Sequence, residues 1–407
     1  MSAAQSRRGR GGARAPMSFV EIVAFIAACM ALNALGIDTM LPALAEIADE
    51  LGVVEENHRQ AVILVYLLAF GASQVVYGPL SDRYGRRPVL LAGLGIFVLG
   101  SVAAMLAGSF AALLLARAVQ GLGAGGPRVV AMAIARDRFE GPMLGQVMSL
   151  AMMVLMVVPV LAPSFGQWIL FIAPWRWIFS ALFACGVALV AWTLWRLPET
   201  LAPGRRRRIS PGMVVGGYRE FLSCRESVVH TLGMVLIMSI LFAFVMSSQQ
   251  VLVDLYGVGA AFPLIIALVA GVMSVAAFIN ARLVMSFGPR RLSRFALSCM
   301  VGVTGLMALL ALADILPLPL FILFESLAMA LFGLVGPNLN ALAMQPMAHI
   351  AGTASAALGT ITTVFAAVLG YAIGQAFDHS VVPLTIGNFV LCAACWILLR
   401  LAAPARD

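Results

Sequence analysis

Long apolar runs, broken at short intervals by clusters of arginine, glycine and proline, set the pattern of this chain. A helix needs about 20 apolar residues to cross a bilayer. Read on that scale, the runs predict twelve spans: 18–42, 60–80, 88–108, 110–134, 143–168 and 174–196, then 227–250, 260–281, 293–313, 317–341, 353–376 and 382–402. The first run is too long for a cleaved signal segment and reads as a retained span. One long polar break carries Arg205 to Arg208 among the turn formers Pro198, Pro203, Gly204 and Pro211. The expected architecture is an all-α integral membrane protein, with twelve transmembrane helices in two pseudo-symmetric six-helix bundles. Its parts are a polar tail 1–17, a bundle 18–196, a linker 197–226, a bundle 227–402 and a tail 403–407.

Composition excludes a water-soluble domain. Hydrophobic residues make up 62% of the chain and charged ones 11%, against about 25% charged in soluble domains. The net charge of +8 would suggest nucleic acid in a soluble protein. Here the basic residues, all arginine, sit between the spans and report topology instead, so no nucleic-acid partner is expected. With the N-terminus placed inside, the inner segments hold Arg7, Arg8, Arg10 and Arg14, Arg83, Arg86 and Arg87, Arg136 and Arg138, the seven arginines of the central loop, Arg282, Arg290, Arg291 and Arg294, and finally Arg400 and Arg406. The outer loops hold only Arg59 and Arg176, which puts both termini in the cytoplasm.

The chemistry of soluble enzymes is missing from the pattern. The histidines His58, His230, His349 and His379 are scattered, and no H-E-x-x-H or phosphate-cradling glycine loop occurs. Cys392 and Cys395 lie in an apolar run and read as packing. No enzyme activity, catalytic residue, metal or cofactor is expected, and energy must come from an ion gradient. The halves echo one another: Arg83-Tyr84-Gly85-Arg86-Arg87 follows span two, Ser286-Phe287-Gly288-Pro289-Arg290-Arg291 follows span eight, and Gly85 and Gly288 stand 203 positions apart. Such parallel repeats place a substrate site between the halves, near the midplane.

Gly78-Pro79-Leu80-Ser81-Asp82-Arg83-Tyr84-Gly85-Arg86-Arg87-Pro88 closely resembles the signature loop between spans two and three of the major facilitator superfamily. Gly78 suits close helix approach, and Asp82 suits the positive end of a neighbouring helix. The candidate neighbour is span eleven, which begins at Gly352, and Arg86 can reach Asp137 at the inner end of span four. By resemblance this set, Gly78, Asp82, Arg83, Gly85, Arg86, Arg87, Asp137 and Gly352, is a latch that closes the cytoplasmic side. Met285 stands where Asp82 stood in the second half, so that copy is degenerate.

Arg117-Ala118-Val119-Gln120-Gly121-Leu122-Gly123 in span four is similar to the family's R-x-x-Q-G-x-G motif. An arginine inside a span costs about 2.5–3.5 kcal/mol on insertion scales, so it has a partner or a task, unless it snorkels to the surface. Asp38, followed by Pro42 in span one, resembles the first-span acid of twelve-span drug exporters. It is the candidate protonation site, with a solvated acid at the helix end as the alternative. Pro159, Pro163 and Gly166 in span five resemble the antiporter signature in part, since Ala162 and Gln167 replace two of its glycines.

Across nearly the whole chain the spacing resembles the Bcr/CflA-type drug-resistance branch. That resemblance implies export of small amphipathic compounds in exchange for protons, by a monomer surrounded by lipid in a bacterial inner membrane. Asp38, Arg117 and Glu325 are the expected proton-coupling residues, with Glu325 either lining the cavity or solvated at its mouth. Asn33, Gln74, Gln120, Gln249 and Asn338 are candidates for the substrate cavity, or for interhelical hydrogen bonding. Asp254 reads as solvated. A proton-coupled importer of a sugar, peptide or organic acid is the alternative function.

Overall fold

The computed structural model describes residues 17–201, 204 and 211–402; both tails and the arginines at 205–208 lie outside the described residues. Twelve of the described helices are 20 residues or longer. They are α1 (Phe19–Asp38), α3 (Ala61–Tyr84), α4 (Arg86–Met105), α5 (Phe110–Arg138), α6 (Gly141–Ile172) and α7 (Arg176–Arg196), then α9 (Arg225–Gln249), α10 (Phe262–Phe287), α11 (Pro289–Leu312), α12 (Leu318–Met344), α13 (Ala351–Gln375) and α14 (Val382–Leu401). Two are shorter: α2 (Leu44–Glu50) and α8 (Pro211–Ser223). The chain is a multi-pass, all-helical membrane protein.

Local chemistry explains where the helices start and stop. Ser18 and Ser109 accept the backbone N–H of Glu21 and Ala112, both at 3.2 Å, and cap α1 and α5. Gly85 ends α3 at φ +104°, a backbone region costly for any residue with a Cβ, and Gly288 ends α10 at φ +75°. Helices α12 and α13 are parted by a tight turn, Gln345–Ile350, in which Met347 leaves helical geometry. Several helices outrun the apolar runs that predicted them; α6 continues four residues beyond 168, to Ile172.

Helices α1 and α3–α7 pack among themselves, and so do α9–α14. Small residues bring backbones together: a Cβ at Gly100 or Gly123 would overlap the facing chain at Gln120 or Phe97, which seats α4 on α5. The two groups meet along two seams, α3 against α13 and α6 against α10. The α3–α13 seam is tight over part of its length only. Thr360 donates to the Gly71 carbonyl at 2.9 Å, while a Cβ at Gly78 or Gly352 would meet nothing within 4 Å. The groups therefore part toward the end that carries the 81–87 loop.

Candidate functional site

Three polar assemblies stand out, the first across the seam and the other two built on the first helix group. The first closes the end opposite the 81–87 loop. There the chain before α3 crosses to the second group of helices: Asn57 Nδ2 donates to the carbonyls of Gln375 and Phe377, both at 3.0 Å, and Gln375 Nε2 donates to the Asn57 carbonyl at 2.7 Å. Gln250 Nε2 donates to Asn57 Oδ1 at 2.5 Å, Gln60 donates to Gln250, and Arg59 pairs with Asp254. Gln250 to Leu255 wind as a π-helix, a local widening that recurs at functional sites. Asp254 is exposed, as expected of a helix end, and it is also the counter-ion of a buried arginine. Gln249 belongs here too, donating to Asp254 Oδ1 at 3.2 Å.

The second assembly surrounds Asp38 and Arg117. Arg117 is fully buried, so it does not snorkel. Its guanidinium donates to the carbonyl of Gly36 at 2.9 Å, to that of Val62 at 3.2 Å and to Gln120 Oε1 at 2.5 Å, and lies 4.2 Å from the Tyr66 ring centre. One planar cation thus ties α5 to α1 and α3, as only the guanidinium fork allows. Gln120 passes the chain on to Ser101 at 2.8 Å, and Tyr66 donates to Asn33 Oδ1 at 3.1 Å. Expected in the cavity, Gln120 instead sits at 0% exposure between α4 and α5. Asn338 is also internal, held to Asn280 at 2.8 Å and to the Leu334 carbonyl at 2.7 Å. Helix rotation, which apolar run length does not encode, accounts for both.

Asp38, at 9% exposure, has no hydrogen-bond or ion-pair partner among the described residues. It opens on a small cavity between the two helix groups, about 40 Å³, walled by Pro159, Phe244, Ile266, Met273 and Met329. Beside it, Gly166 of α6 touches the end of α1, where a Cβ would overlap the Thr39 carbonyl. Pro163 lies in the same uninterrupted helix. Glu325 is fully buried in α12, one turn before Met329, and neither carboxylate oxygen finds a donor among the described residues. It is neither solvated nor on the cavity wall. Gln74 stands in the seam against Gly359, with its Nε2 unpartnered.

The third assembly is the 81–87 loop. Arg86 Nε donates to Asp137 Oδ2 at 2.8 Å, and its Nη1 bonds Ser81 at 2.8 Å and also Asp82. Asp82 is turned to Arg86, and Gly352 has empty space around it, so the expected approach of Asp82 and Gly78 to α13 is absent from this conformation. Arg83 is exposed beside Tyr84, and Arg87 donates to the Leu194 carbonyl at 3.0 Å near the end of α7. Sequence reasoning missed Glu199. Its carboxylate accepts the backbone N–H of Arg86 at 2.8 Å and of Arg87 at 3.2 Å, capping α4. The signal was available: an acid just past the end of a span, in a linker of net positive charge.

The family profile described as Major Facilitator Superfamily matches residues 26–371. An uncharacterized MFS-type transporter of Bacillus subtilis, YdgK, is 30% identical over 86% of this chain and 88% of its own. Multidrug resistance protein MdtL of Salmonella paratyphi C is 31% identical over 91% of this chain and 92% of its own. Among solved structures, the xylose transporter XylE of E. coli superposes with a TM-score of 0.74 at 12% identity, covering 95% of this chain and 98% of that one.

Proposed function

This chain belongs to the Major Facilitator Superfamily, and we propose that it exports drugs or other small amphipathic compounds in exchange for protons, by alternating access. The observation that carries this reading is Asp38: a buried carboxyl without a partner among the described residues, facing an apolar cavity between two helix groups. An ionised carboxylate in such a place is strongly disfavoured. Taking up a proton relieves that cost, so protonation and the shape of the cavity are linked. The relatives named for multidrug resistance support the substrate class, and walls of proline, phenylalanine and methionine suit compounds recognised by shape rather than by a fixed polar pattern.

The two helix groups act as the moving halves, 18–196 and 227–402, joined by the linker 197–226. The arginine-rich face, with the 81–87 loop, is cytoplasmic, as are both termini, in a bacterial inner membrane. In this conformation the periplasmic side is tied by the Asn57–Asp254 assembly and the cytoplasmic side is parted. The cavity is too small for a drug-sized molecule, whose sites run to about 300–1,000 Å³, so loading requires the halves to part further. When they rock, Gly78 and Asp82 close on Gly352. Arg117 positions the end of α1 through Gly36 and so holds Asp38 in place. Glu325 is the second proton carrier. Gln74, between the halves, contacts substrate.

Proteoliposomes loaded with a pH dye test the reading, with wild type beside Asp38→Asn and a panel of cationic and neutral lipophilic compounds. Opposite fluxes of proton and compound, lost in Asp38→Asn, are expected. Flux of both in the same direction overturns export in favour of import, and full coupling in Asp38→Asn removes Asp38 from the mechanism.

A further inference from the structure

Helix α5 carries two arginines inside the span, and their surroundings differ. Arg128 stands about three turns beyond Arg117, roughly 16 Å along the axis and within about 20° of it around the helix. Each lies over one of two stacked rings on α3, whose centres are 6.4 Å apart. Arg117 is 4.2 Å from the centre of Tyr66, and Arg128 is 5.5 Å from that of Phe70. Arg117 gives its donors to two carbonyls and an amide. Arg128 makes no hydrogen bond or ion pair among the described residues.

The acids of this helix group are engaged elsewhere. Glu21 is held by Arg196 at 2.7 and 2.8 Å, Asp82 and Asp137 by Arg86, and Glu199 by the backbone of α4. Asp38 follows Gly36, on the far side of Arg117. Glu140 is exposed past the end of α5. Outside the described residues only Asp407 is acidic, and it follows α14 in the other helix group. Nor does Arg128 face lipid. The exposed Leu115, Val119 and Leu122 mark the lipid side of α5, and helical spacing puts Arg128 on the other side.

Arg128 is half-buried, on the part of α5 that lies toward the 81–87 loop, where the two groups separate. One turn along α3 from Phe70, Gln74 touches Gly359 of α13. Its Nε2 is buried with no acceptor among the described residues. A cation and an amide donor, both without acceptors, thus flank Phe70 at the seam between the halves.

We propose that Arg128 and Gln74 form an anion subsite, and that the transported compounds are amphipathic organic acids whose carboxylate binds there. The proposal rests on the transport reading above and names its substrate class. Ionisable residues within spans are costly and mark substrate paths. A guanidinium fork matches the two oxygens of a carboxylate, and the Gln74 N–H adds a donor from the side of the seam. Phe70 and Tyr66 offer an aromatic wall to the apolar part of the same molecule. The bound acid supplies the acceptors that both side chains lack.

Calorimetric titration of the protein in lipid nanodiscs, with empty nanodiscs subtracted, tests the site. The probes are phenylbutyrate, naphthylbutyrate and pyrenebutyrate, each beside its neutral amide. Wild type should bind at least one acid about tenfold more tightly than its amide, as hydrogen bonds to a charged group imply. Arg128→Gln should bring that acid down to the affinity of its amide, with the amide still bound, and Gln74→Leu should weaken the acid about fivefold. Arg136→Gln, an exposed arginine two turns further along α5, should keep the full preference. Absence of preference in all three pairs overturns the proposal. So does preference that survives in Arg128→Gln, stays whole in Gln74→Leu, or falls as far in Arg136→Gln. Binding at equilibrium has no direction. Failure here therefore leaves opposite fluxes of proton and compound intact, and fluxes in the same direction would leave this subsite intact.

Discussion

Arg59 and Asp254 are 195 positions apart in the chain and meet as an ion pair across the seam, with the arginine side chain 6% exposed and the acid 29%. Around them Asn57, Gln60, Gln250 and Gln375 add amide hydrogen bonds. The face opposite the 81–87 loop is thus held by polar chemistry contributed from both helix groups.

Asp254→Asn should shift the balance toward opening on that face. The pair is partly exposed, so its worth is set near 1 kcal/mol, about a fivefold change in population. The measure is labelling of a cysteine placed at Ser248, on the cavity wall, by a membrane-impermeant maleimide, with the native cysteines removed. An unchanged labelling rate would mean that the pair does not govern the seam.

The glycines of the 81–87 region should separate stability from turnover. Gly85→Ala forces a Cβ into φ +104° and into the Glu199 carboxylate, and should cost about 1–3 kcal/mol in thermal unfolding. Gly78→Ala meets open space in this conformation and should leave the melting point unchanged while slowing transport, because the opposite conformation needs the close approach. Equal transport by both proteins would remove Gly78 from the cycle.

Arg117→Lys keeps the charge and loses the fork. Of the carbonyls of Gly36 and Val62 and the amide of Gln120, a lysine cannot serve all three in the same geometry, and a buried acceptor left without a donor costs about 1–3 kcal/mol. The expected result is a protein that folds with a lowered melting temperature and poor export, read by size-exclusion chromatography and proteoliposome flux. Wild-type behaviour would show that any cation suffices.

Glu325→Gln removes the ionisable group without changing the shape of the side chain. Stability should hold, and fewer protons should move per compound, so export by the variant should respond differently to membrane potential from wild type. Identical stoichiometry would make Glu325 a packing residue.

The sequence made the twelve apolar runs, the two halves and the signature loop readable, because each depends on local pattern: run length, arginine placement and a contiguous motif. Asp38, Arg117 and Glu325 stood out as charges in apolar surroundings. The roles of Gln120 and Asn338 were not readable, since an amide in a span points into a cavity or into a neighbouring helix according to a rotation that hydropathy does not fix. The Arg59–Asp254 pair was hidden for a different reason. Each residue alone resembles an ordinary loop charge, and only the meeting of two distant helix groups makes them partners.

The amide seam at Asn57, Gln60 and Gln250 has a mechanical consequence. A gate sealed by apolar surface would forfeit about 25 cal/mol for every Å² wetted on opening. A gate sealed by amides trades each bond for one to water, a net change of about 0.5–1.5 kcal/mol apiece. This seal works like a zip that water can undo, shallow enough to be opened and remade without a large input of free energy.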